Sequence, residues 1–268
     1  MKRKPLVSGS FYPGNKEDLI KMVERMVDLE SKKEKALCLV SPHAGFEYSG
    51  PIAGAVFSSA ELPEKFVILG PSHKGIQSQI AIMKEGVWET PLGHAQIESR
   101  LAELIMSHSQ LITEDESAHT SEHSLEVQLP FIQFFKKDFS FVPICISYDT
   151  PFNDLEELGK AISQGIKELK EEVLIVASTD MSHYVSQEVA QKKDFLAIER
   201  VLQLDAKGLY DTVQREQISM CGFQPTTSAI VASKGLGAQN ATLIKYQTSG
   251  DTTGNYFEVV GYAGIRIS

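Results

Sequence analysis

Short runs of branched apolar residues recur along this chain. Between them lie longer stretches whose apolar positions fall every three or four residues. The short runs at 36–40, 66–69, 141–146, 173–178, 241–247 and 257–265 predict strands, and a weaker run at 80–83 predicts one at a sheet edge. Amphipathic stretches predict helices over 16–28, 49–59, 97–107, 125–135, 152–169, 187–202, 206–214 and 226–234. Asn15 is placed to cap the first helix, which carries Glu17 and Asp18 in its opening turn, and Gly235 is placed to stop the last. The alternation implies βαβ units. The fold class it predicts is α/β: one domain over 1–268, with a central mainly parallel or mixed β-sheet flanked by helices.

Three predicted strands run directly into polar turns that carry histidine. Leu39-Val40 leads to Ser41-Pro42-His43, Ile68-Leu69 leads to Gly70-Pro71-Ser72-His73, and Val176-Ala177 leads to Ser178-Thr179-Asp180-Met181-Ser182-His183. In an open parallel sheet, binding sites form beyond the carboxyl ends of the strands. Parallel strands would bring these three turns to one edge.

Composition narrows the function classes. The chain has 268 residues, 42% apolar and 23% charged, as expected of a globular protein with a sizeable core. Its 26 basic against 35 acidic residues leave a net charge of −9, and its basic residues form no stripe, which argues against generic nucleic-acid binding. The basic start is not followed by an apolar stretch of signal-peptide length, and no window has the ~18 apolar residues of a membrane helix. Cys38, Cys145 and Cys221 are odd in number and widely spaced, the pattern of a reducing compartment. These readings together predict a cytoplasmic protein.

The strand-end imidazoles His43 and His73 are candidate metal ligands, because neutral imidazole is the commonest metal-binding side chain. Two histidines and one anionic residue leave open positions, as in non-haem iron sites. Asp180, Glu126 and Cys221 all qualify as the third ligand. His123 and Glu126 stand three apart, which on a helix would place them on one face. Asp180 and His183 offer a carboxylate and an imidazole in one turn, suited to proton transfer. Cys221 precedes a predicted helix, where the helix N-terminus would favour the thiolate. His119 could line the site, His94 reads as structural and His108 as solvated. Phe46, Tyr48, Tyr184 and Phe223 would suit an aromatic or peptide ligand, with core filling favoured over that role.

These motifs resemble the Memo family. The similar segments are Gly9-Ser10-Phe11-Tyr12-Pro13-Gly14, Pro42-His43-Ala44-Gly45, Gly70-Pro71-Ser72-His73, His123-Ser124-Leu125-Glu126, Asp180-Met181-Ser182-His183-Tyr184, Cys221-Gly222 and Thr248-Ser249-Gly250-Asp251. They run in order from about residue 8 to the C-terminus. The chain looks like a prokaryotic member, AmmeMemoRadiSam system protein B. The resemblance implies a fold similar to class III extradiol dioxygenases, which hold iron(II) with two histidines and a glutamate. It implies a different ligand set here: His43, His73 and Cys221. His183 corresponds to an acid/base histidine of the dioxygenases, and His123 to another pocket histidine. With Asp180, these make the expected catalytic group. A thiolate softens the site, so iron or copper is expected, with zinc as a further candidate. The implied function is a metal-dependent redox protein acting on a small molecule or peptide in the cleft, in a pathway with an Ammecr-type protein and a radical SAM enzyme. A non-catalytic module that binds peptide or sequesters metal in the same cleft is the alternative.

Overall fold

The computed structural model describes residues 2–76 and 78–268. Among these residues the strands are β1 (Lys2–Arg3), β2 (Cys38–Ser41), β3 (Lys65–Pro71), β4 (Ile80–Ile82), β5 (Val87–Thr90), β6 (Gly93–Ile97), β7 (Ile112–Glu114), β8 (Ser140–Ile146), β9 (Val173–Ser178), β10 (His183–Val185), β11 (Ala241–Thr248) and β12 (Val259–Ile267). The helices are α1 (Lys16–Glu24), α2 (Phe46–Ser58), α3 (Ser99–Ser107), α4 (Ser117–Thr120), α5 (Leu129–Phe135), α6 (Phe152–Leu169), α7 (Gln187–Leu202), α8 (Ala206–Arg215), α9 (Phe223–Gly235) and α10 (Gly250–Thr253).

The sheet is mixed and runs β1-β5-β6-β8-β3-β9-β2-β12-β10, with β11 on β12 and β4 joining β8 to β7. Its centre, β8-β3-β9-β2, is parallel, which is why those strands read as continuous apolar runs. Alternate residues feed two cores. Phe66 and Ile68 of β3 pack with α1, α2 and α5 through Leu19, Phe57 and Phe131. Val67 and Leu69 pack with α3, α6 and α9 through Ile105, Leu158 and Ile230. This is the period-2 pleat of a strand buried on both faces.

The predicted strands and long helices all form, and Asn15 caps α1 by accepting from the Asp18 amide at 2.9 Å. Some boundaries and roles differ. The segment at 80–82 is no edge: it pairs antiparallel with β8 and parallel with β7. Gly235 is the last residue of α9 rather than its stop, and the positive φ of +103° belongs to Gly237, two residues on. Residues 121–125 form a turn, and only Glu126–Gln128 takes up a 3-10 turn, so His123 and Glu126 share no helix face. Ile97, predicted as the first helical residue, instead closes β6 of the β5–β6 hairpin, and α3 starts at Ser99. Among the described residues no helix is long and apolar enough to cross a membrane.

One half-buried pair makes stability pH-dependent far from the histidine turns. Glu98 accepts from Ser140 Oγ at 2.6 Å and pairs with Lys65 Nζ at 3.0 Å. Burial alone would raise the Glu98 pKa, but the Ser140 hydroxyl and Lys65 outweigh it and hold it low. A depressed carboxylate stabilises above its unfolded value, ~4.3, and that contribution is lost as pH falls through the folded value. Glu98→Gln is therefore expected to cost about 1 kcal/mol at pH 7 and nothing once Glu98 is protonated in both the folded and the unfolded chain. Urea midpoints of the two proteins between pH 7 and pH 3 should converge; a constant gap would refute the pairing.

Candidate metal centre

The parallel register places Ser41 of β2 beside Ser178 of β9, and Leu69 of β3 beside Ala177. The three histidine turns therefore leave the same edge of the sheet. The turn before α9 delivers Cys221 to that edge. Gly222 makes this approach feasible, since a Cβ there would lie 2.3 Å from the Ser178 carbonyl oxygen and 2.5 Å from Thr179 Cβ. Its amide donates to Thr179 Oγ1 at 3.0 Å and locks the turn against β9.

At the centre, Cys221 Sγ lies 3.2 Å from His43 Nε2, and the His43 and His73 rings are 5.2 Å apart. Donor atoms of His43, His73 and Cys221 lie within 4.8 Å of one another, as do those of Asp180, His183 and Cys221, and of His73, Glu122 and His123. Each of these groups could hold a metal ion. His43 is buried, Cys221 half-buried and His73 the most exposed of the three, so the cluster opens outward past His73.

Hydrogen bonding sets which nitrogen of each ring is free. Ser178 Oγ donates its one proton to the Ser124 carbonyl at 2.6 Å. It must therefore accept from Gln128 Nε2 and from His43 Nδ1, both at 2.9 Å. His43 then carries its proton on Nδ1 and turns an unprotonated Nε2 to the Cys221 sulfur. His73 Nδ1 donates to Glu122 Oε1 at 2.9 Å, and His183 Nδ1 to the Ser219 carbonyl at 2.8 Å, which leaves both Nε2 atoms free in the same way. Tying down the far nitrogen in this manner is how proteins orient metal-binding and proton-transferring imidazoles.

The charges follow from these contacts. Burial, reinforced by His73 and His123, pushes the His43 pKa well down, so the ring is neutral. Burial also works against a charge on His73, but Glu122 outweighs it and raises the pKa. The same pairing holds Glu122 ionised far below the usual carboxylate range despite its burial. Burial, with Asp180 adding to it, pushes the Cys221 thiol up. The thiolate expected from the helix N-terminus is thus not the resting form of the metal-free protein, because desolvation exceeds the helix effect.

Asp180 sits under His43: Oδ1 accepts from the His43 amide at 2.8 Å, and Oδ2 is 3.9 Å from His43 Nε2. His123 stacks on His73 at 4.7 Å and meets the Phe11 ring edge-on at 4.9 Å. Glu126 belongs to a different task. It accepts from Arg3 Nη1 and the Leu6 amide at 2.8 Å, the Val7 amide at 3.1 Å and Tyr12 Oη at 2.5 Å, which straps the N-terminal segment to the site wall. His119 does not line the cluster; it is buried against Trp88 and bonds the Asp115 carbonyl. His94 pairs with Glu89 on the surface, and His108, half-buried, pairs with Glu168. Phe46 and Phe223 are core, whereas Tyr48 and Tyr184 are exposed.

Sequence reasoning missed Glu122, Ser178, Gln128 and Ser219, which orient the rings. Glu122 and Gln128 flank the His123 motif, and Ser178 closes a predicted strand, so position alone gave some signal. Their partners are 36 to 135 residues away. Ser178→Ala removes the acceptor for His43 Nδ1 with little loss of volume. It is expected to weaken metal binding about 10–100-fold. It should also let the Nε2–H tautomer appear in the nitrogen NMR spectrum of the metal-free protein; an unchanged tautomer would show that Ser178 does not set it.

The fold and the site define a class: an α/β protein with a histidine–cysteine donor cluster at the carboxyl edge of a mixed sheet. The chain belongs to the Memo-like protein family, whose pattern matches residues 3–266. It is 43% identical over 275 residues to a MEMO1 family protein of Pyrobaculum arsenaticum, covering 98% of each chain. It is 42% identical over 282 residues to one of Methanopyrus kandleri, covering 99% of this chain and 98% of that one. Among solved structures, an uncharacterized protein from Escherichia coli K12 shares the fold. Its TM-score is 0.57 at 12% identity, covering 85% of this chain and 99% of that one.

Proposed function

We propose that this protein is a metal-dependent redox protein that holds iron or copper on His43, His73 and Cys221. The observation that carries this reading is the donor set: an unprotonated Nε2 on His43 and the Nε2 of His73, whose Nδ1 is held by Glu122, converging with a sulfur. Two imidazoles and a thiolate suit a soft or borderline transition ion, and three ligands leave positions open, unlike the closed four-ligand structural zinc site. When bound, such an ion supplies a redox-active Lewis acid.

The other steps fall to the chain's own residues. His183, its Nδ1 held by the Ser219 carbonyl, offers Nε2 to take or return a substrate proton. Asp180 holds the His43 backbone and presents its second oxygen toward the cluster. His123 and Phe11 wall the side next to His73 and restrict what can approach. The family resemblance further suggests a pathway shared with an Ammecr-type protein and a radical SAM enzyme.

Protein purified anaerobically without chelator should carry iron, copper or zinc by elemental analysis; a metal-free preparation that also fails to load would end the proposal. Nitric oxide added to the iron(II) form should give a nitrosyl signal if positions are open. A site that only sequesters metal should give none. His183→Ala is expected to keep wild-type metal content while losing turnover, and loss of metal in that variant would refute its proton-transfer role.

A further inference from the structure

We propose that the groove between α1, α5 and the β5–β6 hairpin docks an extended acidic peptide segment of a partner protein. The groove encloses about 470 Å³ and contains no residue of the histidine–cysteine cluster. Three ammonium groups line it, those of Lys16, Lys136 and Lys137, together with the His94 imidazole. The lining includes no carboxylate, on a protein whose net charge is −9. Among the described residues no carboxylate pairs with Lys16, Lys136 or Lys137, and His94 lies 3.2 Å from Glu89. Ile20, Leu92 and Phe134 supply an apolar floor between the charges.

Two observations favour an extended peptide over a small anion. A second depression of about 450 Å³ adjoins the first and shares His94 and Lys137 with it, so the surface is a long open trough; Glu64 and Asp138 line that second end, so the acidic side chains of the peptide belong in the first. The strand beside it is also incomplete. β6 pairs with β5 along Gly93–Gln96, but β8 meets it only at Gln96 and Ile97. Gly93 and His94, both exposed, therefore have a partner strand on one side alone, whereas Ala95 is fully buried, so an incoming segment can pair with those two residues. Main-chain pairing at an edge supplies affinity and flanking pockets supply selectivity. Here the pockets select acidic side chains around an apolar one, by charge complementarity.

The probe is a fluorescein-labelled peptide of glutamates around a single phenylalanine, titrated into the full-length protein and followed by fluorescence anisotropy. Saturable binding is expected that weakens as salt rises and is lost at least about tenfold in the K16E/K136E/K137E variant. The charge-matched K167E/K234E/K245E variant, with lysines elsewhere, should bind as wild type; circular dichroism checks that both fold. Hydrogen exchange should slow at the amides of Gly93 and His94 on binding. The proposal is overturned if a serine–glycine peptide binds equally well, if both triple variants behave alike, or if protection appears elsewhere.

Discussion

Cys221→Ala is expected to lower affinity for iron(II), copper(I) or zinc by more than about a hundredfold, while the protein stays folded. The affinity falls because sulfur is the only soft donor in the cluster, and its loss leaves two imidazoles to hold the ion. The fold survives because Sγ makes only weak contacts: it accepts from the Asp180 amide at 3.2 Å, and its thiol proton lies between His43 Nε2 at 3.2 Å and the Asp180 carbonyl at 3.7 Å. Losing these weak sulfur hydrogen bonds costs about 1–2 kcal/mol. Cys221→Ser separates softness from packing, since a hydroxyl keeps the shape but is a hard donor; copper(I) binding should suffer more than zinc binding. Competition titrations against a chromophoric chelator, run anaerobically, report both effects. Wild-type affinity in Cys221→Ala would remove the thiol from the ligand set.

The largest loss of stability is expected from Glu126→Ala, about 3–5 kcal/mol, because it strands the buried Arg3 guanidinium without its counter-charge. Arg3 and Glu126 are both almost fully buried and meet at 2.8 Å. Arg3 also stacks on Trp88 at 4.0 Å and donates to the carbonyls of His119 and Glu122 at 2.7 and 2.6 Å. The same carboxylate bonds Leu6, Val7 and Tyr12, so the substitution also frees the segment that carries Phe11 to the wall of the cluster. Replacing both partners, as Arg3→Met with Glu126→Leu, should recover much of the loss, since no charge is then left buried alone. Urea denaturation of the single and double variants tests this. A single variant within about 1 kcal/mol of wild type would mean that the pair is solvated in solution.

Much of this architecture can be read from the pattern of apolar residues. The runs around β3, β8 and β9 are buried on both faces, so their strand character does not depend on alternation being recognised. The helices over 152–169 and 187–202 match the observed bounds because both are long and their ends are set locally, the second by the Ser186 cap. The short elements escaped detection for a physical reason. Strands such as β1 and β10 are made by pairing with distant strands rather than by local propensity, β5 and β6 form a hairpin of only four paired positions, and β6 lies in a stretch that alternates too briefly to stand out from the helix following it.

The candidate site divides along the same line. The sequence alone determined that His43, His73 and the Asp180–His183 turn follow apolar strands, and parallel pairing then obliges those turns to share an edge. It left Cys221, Asp180 and Glu126 equivalent as third ligand, and only the motif resemblance favoured Cys221. The tertiary structure gives them different surroundings. Glu126 is spent on Arg3 and the N-terminal segment, Asp180 holds the His43 backbone, and Cys221 lies against His43 because Gly222 has no Cβ to collide with β9. The ring tautomers, the ionised Glu122 and the protonated Cys221 were likewise decided only by the folded chain. Each depends on burial and on one hydrogen-bond partner remote in sequence, and a linear pattern of residue types records neither.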